Sequence, residues 1–235
     1  MICDLKNNLH YLVFIMDFSR TKSFYNLYGK RFFDFFFALL FLCLFFWVYV
    51  IISIVIICED GFPIFYRGQR GGYHNKPFKI FKFRSMVRNA ENLGGGTTAL
   101  NDNRITKTGN ILRKTKLDEI PQIFNVLQGT MSFVGPRPEL LQYTEKYEGD
   151  EKFILEVRPG ITDYSSLEFI SLDEIVGEEN ADEIYEEKVL KKKNQLRMKY
   201  ASEVSVKTDI KLFFRTISKT FKKSEDFISS GKNNT

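Results

Sequence analysis

The sequence is poor in the residues that carry much of enzyme metal and redox chemistry. Two histidines, His10 and His74, occur in 235 residues. A three-histidine zinc site is therefore excluded, and any histidine catalysis would rest on one of these two. The cysteines, Cys3, Cys43 and Cys58, show no CxxC spacing and are odd in number. That argues against a disulfide framework and fits a reducing compartment. No charged residue, proline or glycine occurs from Phe35 to Cys58. No second segment is apolar enough to span a bilayer, which excludes a polytopic membrane protein. A hydrophobic content of 44% excludes a disordered chain.

What is present is unevenly distributed, with eleven of the 24 phenylalanines in the first 50 residues. The uncharged run from Phe35 to Cys58 is 24 residues long. As a helix it measures about 36 Å, enough for roughly 30 Å of hydrocarbon. A core helix of this composition would need a large domain around it. The run starts too late, is too long and lacks the small-residue cleavage site of a removable signal peptide. It reads as a membrane-inserted helix. Arg20, Lys22, Lys30 and Arg31 precede it, and Arg67, Arg70 and Lys76 follow it. Basic residues on both sides suit a helix whose two ends stay on one face, which requires a kink. Asp34 lies four residues after Lys30 and is expected to pair with it.

Near the C-terminus, Ile210, Phe213, Phe214, Ile217 and Phe221 share one helical face. Lys207, Lys211, Arg215, Lys219, Lys222 and Lys223 crowd the others. The pattern predicts an interfacial amphipathic helix facing anionic headgroups, and a core-packing helix is the alternative. The net charge of +5 sits largely beside these membrane-seeking segments, so nucleic acid is not an expected partner.

The remainder reads as a small α+β domain, mostly helical with short strands. The stretch from Gly61 to Gly72 reads as a strand and a glycine-rich turn. In FKIFKFRSM, Phe81 and Phe83 face one way, Lys82 and Arg84 the other. Residues 89–103 form a polar loop, and helices are predicted at 108–115 and 119–128. The acids between 173 and 187 read as a solvated face, and the tail from Ser224 as disordered. The organisation is an N-terminal extension at 1–29, a membrane-inserted helix at 30–58, a catalytic domain at 59–223 and a tail at 224–235.

Chemistry concentrates between Arg104 and Thr162. In KLDEIPQIFNVLQG, Pro121 is tolerated only in a helix's first turn, and Gly129 is a natural stop. Asp118 and Glu119 are thereby placed at a helix N-terminus, where the dipole favours an ionised carboxylate and bound phosphate. Acids at helix starts are usually caps, so the pair alone is weak. The arginines around it add weight. Arg137 lies between two prolines and Arg158 precedes Pro159-Gly160, so both backbones are restricted to extended conformations. Guanidinium groups on stiff backbones suit bidentate phosphate binding, and Arg104 and Arg113 add charge nearby. Acids among arginines point to metal-assisted chemistry on a phosphate ester or anhydride. A surface ion-pair network is the alternative, and spacing does not separate the two.

These segments resemble a known family. KRFFD, FYRGQRGG, FKIFKFRSM, DNRIT, LDEIPQ, NVLQGTMSFVGPRP and VRPGIT, in that order between residues 30 and 162, are similar to the small monotopic phosphoglycosyl transferases of bacteria. The likeness extends to about residue 223. It implies an enzyme on the cytoplasmic face of the bacterial inner membrane. Such an enzyme moves a sugar 1-phosphate from a UDP-sugar to polyprenyl (undecaprenyl) phosphate, releasing UMP, as the first membrane step of a glycan pathway such as capsule or lipopolysaccharide. The resemblance implies Mg²⁺, with Asp118 as nucleophile and metal ligand through an aspartyl-phosphosugar intermediate. Glu119 would support metal binding or assist the second half-reaction. Lys82, Arg113, Arg137 and Arg158 would hold phosphates and nucleotide. Membrane lipids, a second copy in a homodimer and downstream glycosyltransferases are the expected partners.

Two departures stand out. Family members usually carry Ser-Pro midway along the apolar segment, and Phe46-Trp47 occupy those positions here. A re-entrant helix is still expected, bent through packing, with a spanning helix as the alternative. After RPGIT a common continuation is Gly-Trp, whereas this chain has Asp163-Tyr164-Ser165-Ser166. Two other functions would use related features. One is a non-catalytic scaffold for glycan assembly, which has no need of the acids and arginines. The other is a membrane phosphatase or pyrophosphatase acting on the same ligands with water as acceptor.

Overall fold

The computed structural model describes residues 16–232 apart from 91–92, 94–97, 99–101, 173–174, 176 and 178–179. Much of the polar loop, several acids of 173–187, residues 1–15 of the N-terminal extension and the end of the tail therefore lie outside the described residues.

The apolar run forms α1 (Lys30–Asp60), a single unbroken helix of 31 residues. At 1.5 Å per residue it is about 46 Å long. Its interior contains no helix breaker, and it stops at Gly61, whose φ of +68° favours glycine. A Cβ there would also come within 2.2 Å of the Arg88 guanidinium. The expected kink is absent, in line with the missing Ser-Pro.

Short strands follow as β1 (Phe65–Tyr66), β2 (Gln69–Gly71), β3 (Pro77–Lys79) and β4 (Lys82–Phe83). β1 pairs antiparallel with β4, and β2 with β3. The alternating segment expected from Phe78 to Met86 is thus two strands rather than one. Asn125 explains the break: its Oδ1 accepts from Phe81 N at 2.8 Å and its Nδ2 donates to Lys79 O at 2.9 Å. Next come α2 (Lys107–Lys114), a 3₁₀ turn (Leu117–Glu119) and α3 (Gln122–Gln128). The helix expected from residue 119 starts three residues later, after Pro121, which has no N–H to continue the ladder.

The chain continues through β5 (Ser132–Val134), α4 (Leu141–Thr144), β6 (Gly160–Thr162), α5 (Tyr164–Glu168), α6 (Ala181–Ile184), α7 (Lys191–Glu203) and α8 (Val206–Lys232). β5 and β6 are parallel, with Ser132 opposite Gly160. α8 carries the helix through Ser224, where the polar composition had suggested a disordered tail. No proline interrupts that segment, so the helical ladder has no local reason to stop.

α1 forms one wall of the main core. Ala38, Tyr49, Ile52 and Ile56 pack against Phe78, Phe83, Leu112, Ile123, Val126 and Met131. Its other faces leave Phe36, Leu40, Leu44, Trp47, Ile51 and Ile54 exposed. The expected Lys30–Asp34 pair does not form. Lys30 instead donates to Asp209 of α8, and Asp34 accepts from Ser132 Oγ at 3.0 Å and Phe133 N at 3.1 Å. Burial decides this: each charge turns inward to a tertiary partner, which a local i,i+4 rule does not see.

Asp209 also accepts from Tyr25 and Tyr200 hydroxyls at 2.7 Å each. Asp209→Ala would leave the Lys30 ammonium buried and unpaired. A loss of about 3–5 kcal/mol in unfolding free energy is expected by denaturant titration in detergent. A loss under about 1 kcal/mol would mean that the pair contributes no more than a surface one.

Candidate active site

The dyad lies in the 3₁₀ turn between α2 and α3. Thr106 caps α2 by accepting from Gly109 N, and Lys116 turns the chain with φ of +60°. Asp118 is 6% exposed. Three elements converge here. β4 brings Lys82, whose Nζ lies 2.9 Å from Glu119 Oε1. The proline-flanked segment after β5 brings Arg137, which donates from Nη2 to the same Glu119 oxygen and from Nη1 to Ile161 O at 3.0 Å. Asp163 then fixes the Arg137 backbone by accepting from its N–H at 3.3 Å. Asp163 is fully buried and also takes bonds from Ser165 Oγ, Ser166 N and Ser166 Oγ. The segment that departs from the family's common Gly-Trp is therefore a brace for Arg137.

The two acids are electrostatically divided. Burial alone would raise the Glu119 carboxyl, but Arg137 and Lys82 outweigh it and hold Glu119 well below the usual carboxylate range. Asp118 goes the other way. Burial and the adjacent Glu119 charge push its carboxyl up, with Lys82 and Arg113 opposing. Burial also lowers the Lys82 ammonium, with Glu119 opposing. Burial thus opposes the helix-end effect that favours an ionised Asp118. Asp118 Oδ1 is buried with no hydrogen-bond partner. An orphaned carboxylate oxygen is costly unless a cation or an electrophile meets it.

Mg²⁺ usually takes one or two carboxylates, with substrate phosphates and water completing the shell. Among the described residues no cluster of three or more histidine, cysteine or acidic side chains gathers. With Glu119 engaged by two cations, Asp118 is the donor that fits such an ion.

A cleft of about 1430 Å³ opens over the dyad. Lys82, Arg113, Asp118, Glu119 and Arg137 line it, together with Phe41 of α1 and Ile217 and Phe221 of α8. Arg113 acts on Asp118 through charge, and its side chain makes no hydrogen bond or ion pair among the described residues. Arg104 is engaged by Asp102, with N–O distances down to 2.6 Å. Arg158 does not line the cleft. Its guanidinium lies 5.2 Å from the Tyr73 ring and 3.5 Å from Asn26 O, so its restricted backbone directs it to the N-terminal segment instead. His74 also lies elsewhere, 3.4 Å from Glu156. Sequence reasoning missed Asn125, Asp163 and a cluster of Glu139, Tyr185, Lys193 and Arg197 on the cleft wall. Lys193 follows two other lysines, and that run reads as a solvated face.

Comparison with known proteins agrees on one grouping. The bacterial sugar transferase profile matches residues 25–223. A putative undecaprenyl-phosphate N-acetylgalactosaminyl 1-phosphate transferase of Bacillus subtilis is 42% identical over 121 residues, covering 52% of this chain and 68% of that protein. The UDP-glucose:undecaprenyl-phosphate glucose-1-phosphate transferase of Escherichia coli is 39% identical over 162 residues, 68% of this chain and 33% of the relative. The undecaprenyl-phosphate galactose phosphotransferase of Salmonella typhimurium is 42% identical over 121 residues, 45% of this chain and 25% of the relative. The chain thus spans about two thirds of the Bacillus protein and a third or less of the other two.

Asp163→Ala would remove the α5 cap and the anchor of Arg137 together. The expected cost is about 2–4 kcal/mol by chemical denaturation, from one cap and bonds to a charged acceptor. A cost below about 0.5 kcal/mol would show that Asp163 braces nothing.

Proposed function

The chain belongs to the bacterial sugar transferase family of phosphoglycosyl transferase enzymes, and from this we propose that it transfers a sugar 1-phosphate from a UDP-sugar to polyprenyl phosphate. The observation that carries the mechanism is the division of the dyad. Asp118 offers a carboxylate oxygen with no other partner, while Glu119 is held anionic between two cations. Asp118 attacks the phosphorus that bears the sugar. The bond from that phosphorus to the oxygen bridging it to the uridine phosphate breaks, and UMP leaves with both electrons of that bond. An oxygen of polyprenyl phosphate then attacks the same phosphorus and displaces Asp118, giving the lipid-linked sugar diphosphate. Both steps exchange one phosphorus–oxygen bond for another, so no oxidant or reductant is needed. Lys82 and Arg137, oriented by Glu119, hold the departing phosphate charge. Asp118 is the residue that would hold Mg²⁺, which when bound offsets charge on the diphosphate.

The placement of α1 sets where this happens. Its first turn reaches the domain through Arg31, which donates to Val126 O and Leu127 O. Its middle does so through Tyr49, donating to Ile120 O at 2.9 Å. Its last turn does so through Glu59, which accepts from Lys107 N at 2.9 Å and Thr108 N at 3.0 Å. A helix tied along its length to one domain cannot carry its ends to opposite sides of a bilayer. α1 therefore lies along one leaflet, neither spanning nor turning back, with its exposed apolar face in the acyl region. The exposed Phe214 and Phe221 of α8 join it. The site then works at the cytoplasmic surface of the bacterial inner membrane, where a lipid phosphate reaches it sideways.

Purified enzyme in nanodiscs with Mg²⁺ and polyprenyl phosphate is expected to release UMP from a UDP-sugar. In Asp118→Asn, the rate should fall on the order of 10³-fold or more. A variant rate within about tenfold of wild type would exclude Asp118 as nucleophile. For topology, Ser23→Cys and Phe62→Cys, made singly in a background without the natural cysteines, should both react with an impermeant maleimide from the cytoplasmic side alone. Opposite sidedness of the two would contradict the in-plane helix.

A further inference from the structure

The wall of the cleft carries charged groups that the transfer chemistry leaves unused. Residues 137 and 139 lie two apart in an irregular segment punctuated by prolines, and both line the cleft. Arg137 serves the dyad, whereas Glu139 builds a separate cluster. Its Oε2 accepts from Arg197 Nη2 at 2.8 Å and from the Tyr185 hydroxyl, and its Oε1 from Leu140 N at 3.1 Å. Arg197 spends its other terminal nitrogen on Asn194 Oδ1 at 2.8 Å and Tyr147 at 3.5 Å. Glu139 and Arg197 therefore pair with each other, with Arg197 Nε alone left without a partner among the described residues.

Lys193 is the exception. It is 7% exposed, lines the cleft, and makes no ion pair among the described residues. Its one hydrogen bond is a long one to the Tyr185 hydroxyl at 3.4 Å. Its ammonium stands 4.7 Å from the Tyr185 ring centre and 5.8 Å from that of Phe169. Burial first, then the nearby Arg197 charge, lower its pKa to about 7, so at neutral pH the amine can both donate and accept. Lysine is almost never fully buried without a partner.

The surroundings narrow what that partner is. A phosphate calls for several converging terminal donors, and both terminal nitrogens of Arg197 are already spent, which leaves the Lys193 ammonium and the buried Arg197 Nε. A stacking base needs an open aromatic face. Tyr185 is flanked by Lys193 and by the Tyr143 ring at 5.9 Å, and Phe169 by Lys192 and Lys193. One amine beside two aromatic rings suits a saturated, oxygen-bearing ring. Resting on the proposed transferase reading, we infer that Lys193, framed by Tyr185 and Phe169, forms the subsite for the donor's sugar and hydrogen-bonds one of its hydroxyl or acetamido oxygens. It is a specificity residue, separate from the phosphate grip of Lys82 and Arg137.

The test compares wild type with Lys193→Met and Lys193→Gln on UDP-glucose, UDP-galactose and UDP-N-acetylgalactosamine, with UMP as competitive inhibitor. For the donor that wild type prefers, KM should rise about tenfold or more in Lys193→Met, the loss of one hydrogen bond to a charged group. The inhibition constant of UMP, which has no sugar beyond its ribose, should stay within about twofold of wild type. Lys193→Gln keeps a donor and an acceptor and should recover part of the loss. Both variants should melt no lower than wild type, since a buried charge has been removed. An unchanged KM in a folded variant overturns the inference. Equal losses for UMP and for the donor would also overturn it, assigning Lys193 to the nucleotide. Absence of turnover by wild type with any donor would instead count against the transferase reading.

Discussion

The candidate active site depends on a helix that is clamped to its domain by the caps of other helices. Arg31 takes the last carbonyls of α3, and Glu59 takes the first amides of α2. These are the groups a helix leaves without intrahelical partners, and side chains of this charge at those ends are favoured by the backbone dipole. The turn that carries Asp118 and Glu119 lies between α2 and α3. Tyr49 adds a third bond to Ile120, the residue after the dyad. The long apolar helix therefore also fixes the Asp118-Glu119 turn, and its own placement and the geometry of the dyad share one set of contacts.

The same economy shapes the electrostatics. A bare pair of adjacent buried acids would share one proton, because neighbouring negative charges in low dielectric are costly. Here Lys82 and Arg137 both attach to Glu119, which settles the asymmetry in its favour and leaves Asp118 Oδ1 unpartnered. Arg137 can do this because its position is over-determined. Prolines lie on both sides, Asp163 holds its amide, and Ile161 O takes one arm of its guanidinium.

Much of this was legible in the sequence, and the exceptions have a common physical cause. The apolar run, the Asp118-Glu119 turn and the stiff Arg137 follow from local rules: length against bilayer thickness, proline at a helix start, proline on either side of an arginine. Lys30 was misassigned because its partner is Asp209, 179 residues away, and periodicity sees only neighbours along the helix. Arg158 shows that a restricted backbone promises stiffness but not direction, since it faces Tyr73 and Asn26. Lys193 was hidden for the opposite reason. In a run of lysines nothing local marks the one that turns inward. Asp163 was visible only as a departure from a family pattern, and its role emerged once Arg137, Ser165 and Ser166 were seen around it.

The central claim is that Asp118 carries the phosphosugar between donor and acceptor. The most direct measurement is peptide mass spectrometry on enzyme quenched after mixing with its UDP-sugar, without polyprenyl phosphate. The account predicts a sugar-phosphate adduct on the peptide containing Asp118, localised to that residue and removed when polyprenyl phosphate is added before the quench. Lipid-linked product forming at full rate with no adduct at any time point, or an adduct on a different residue, would contradict it.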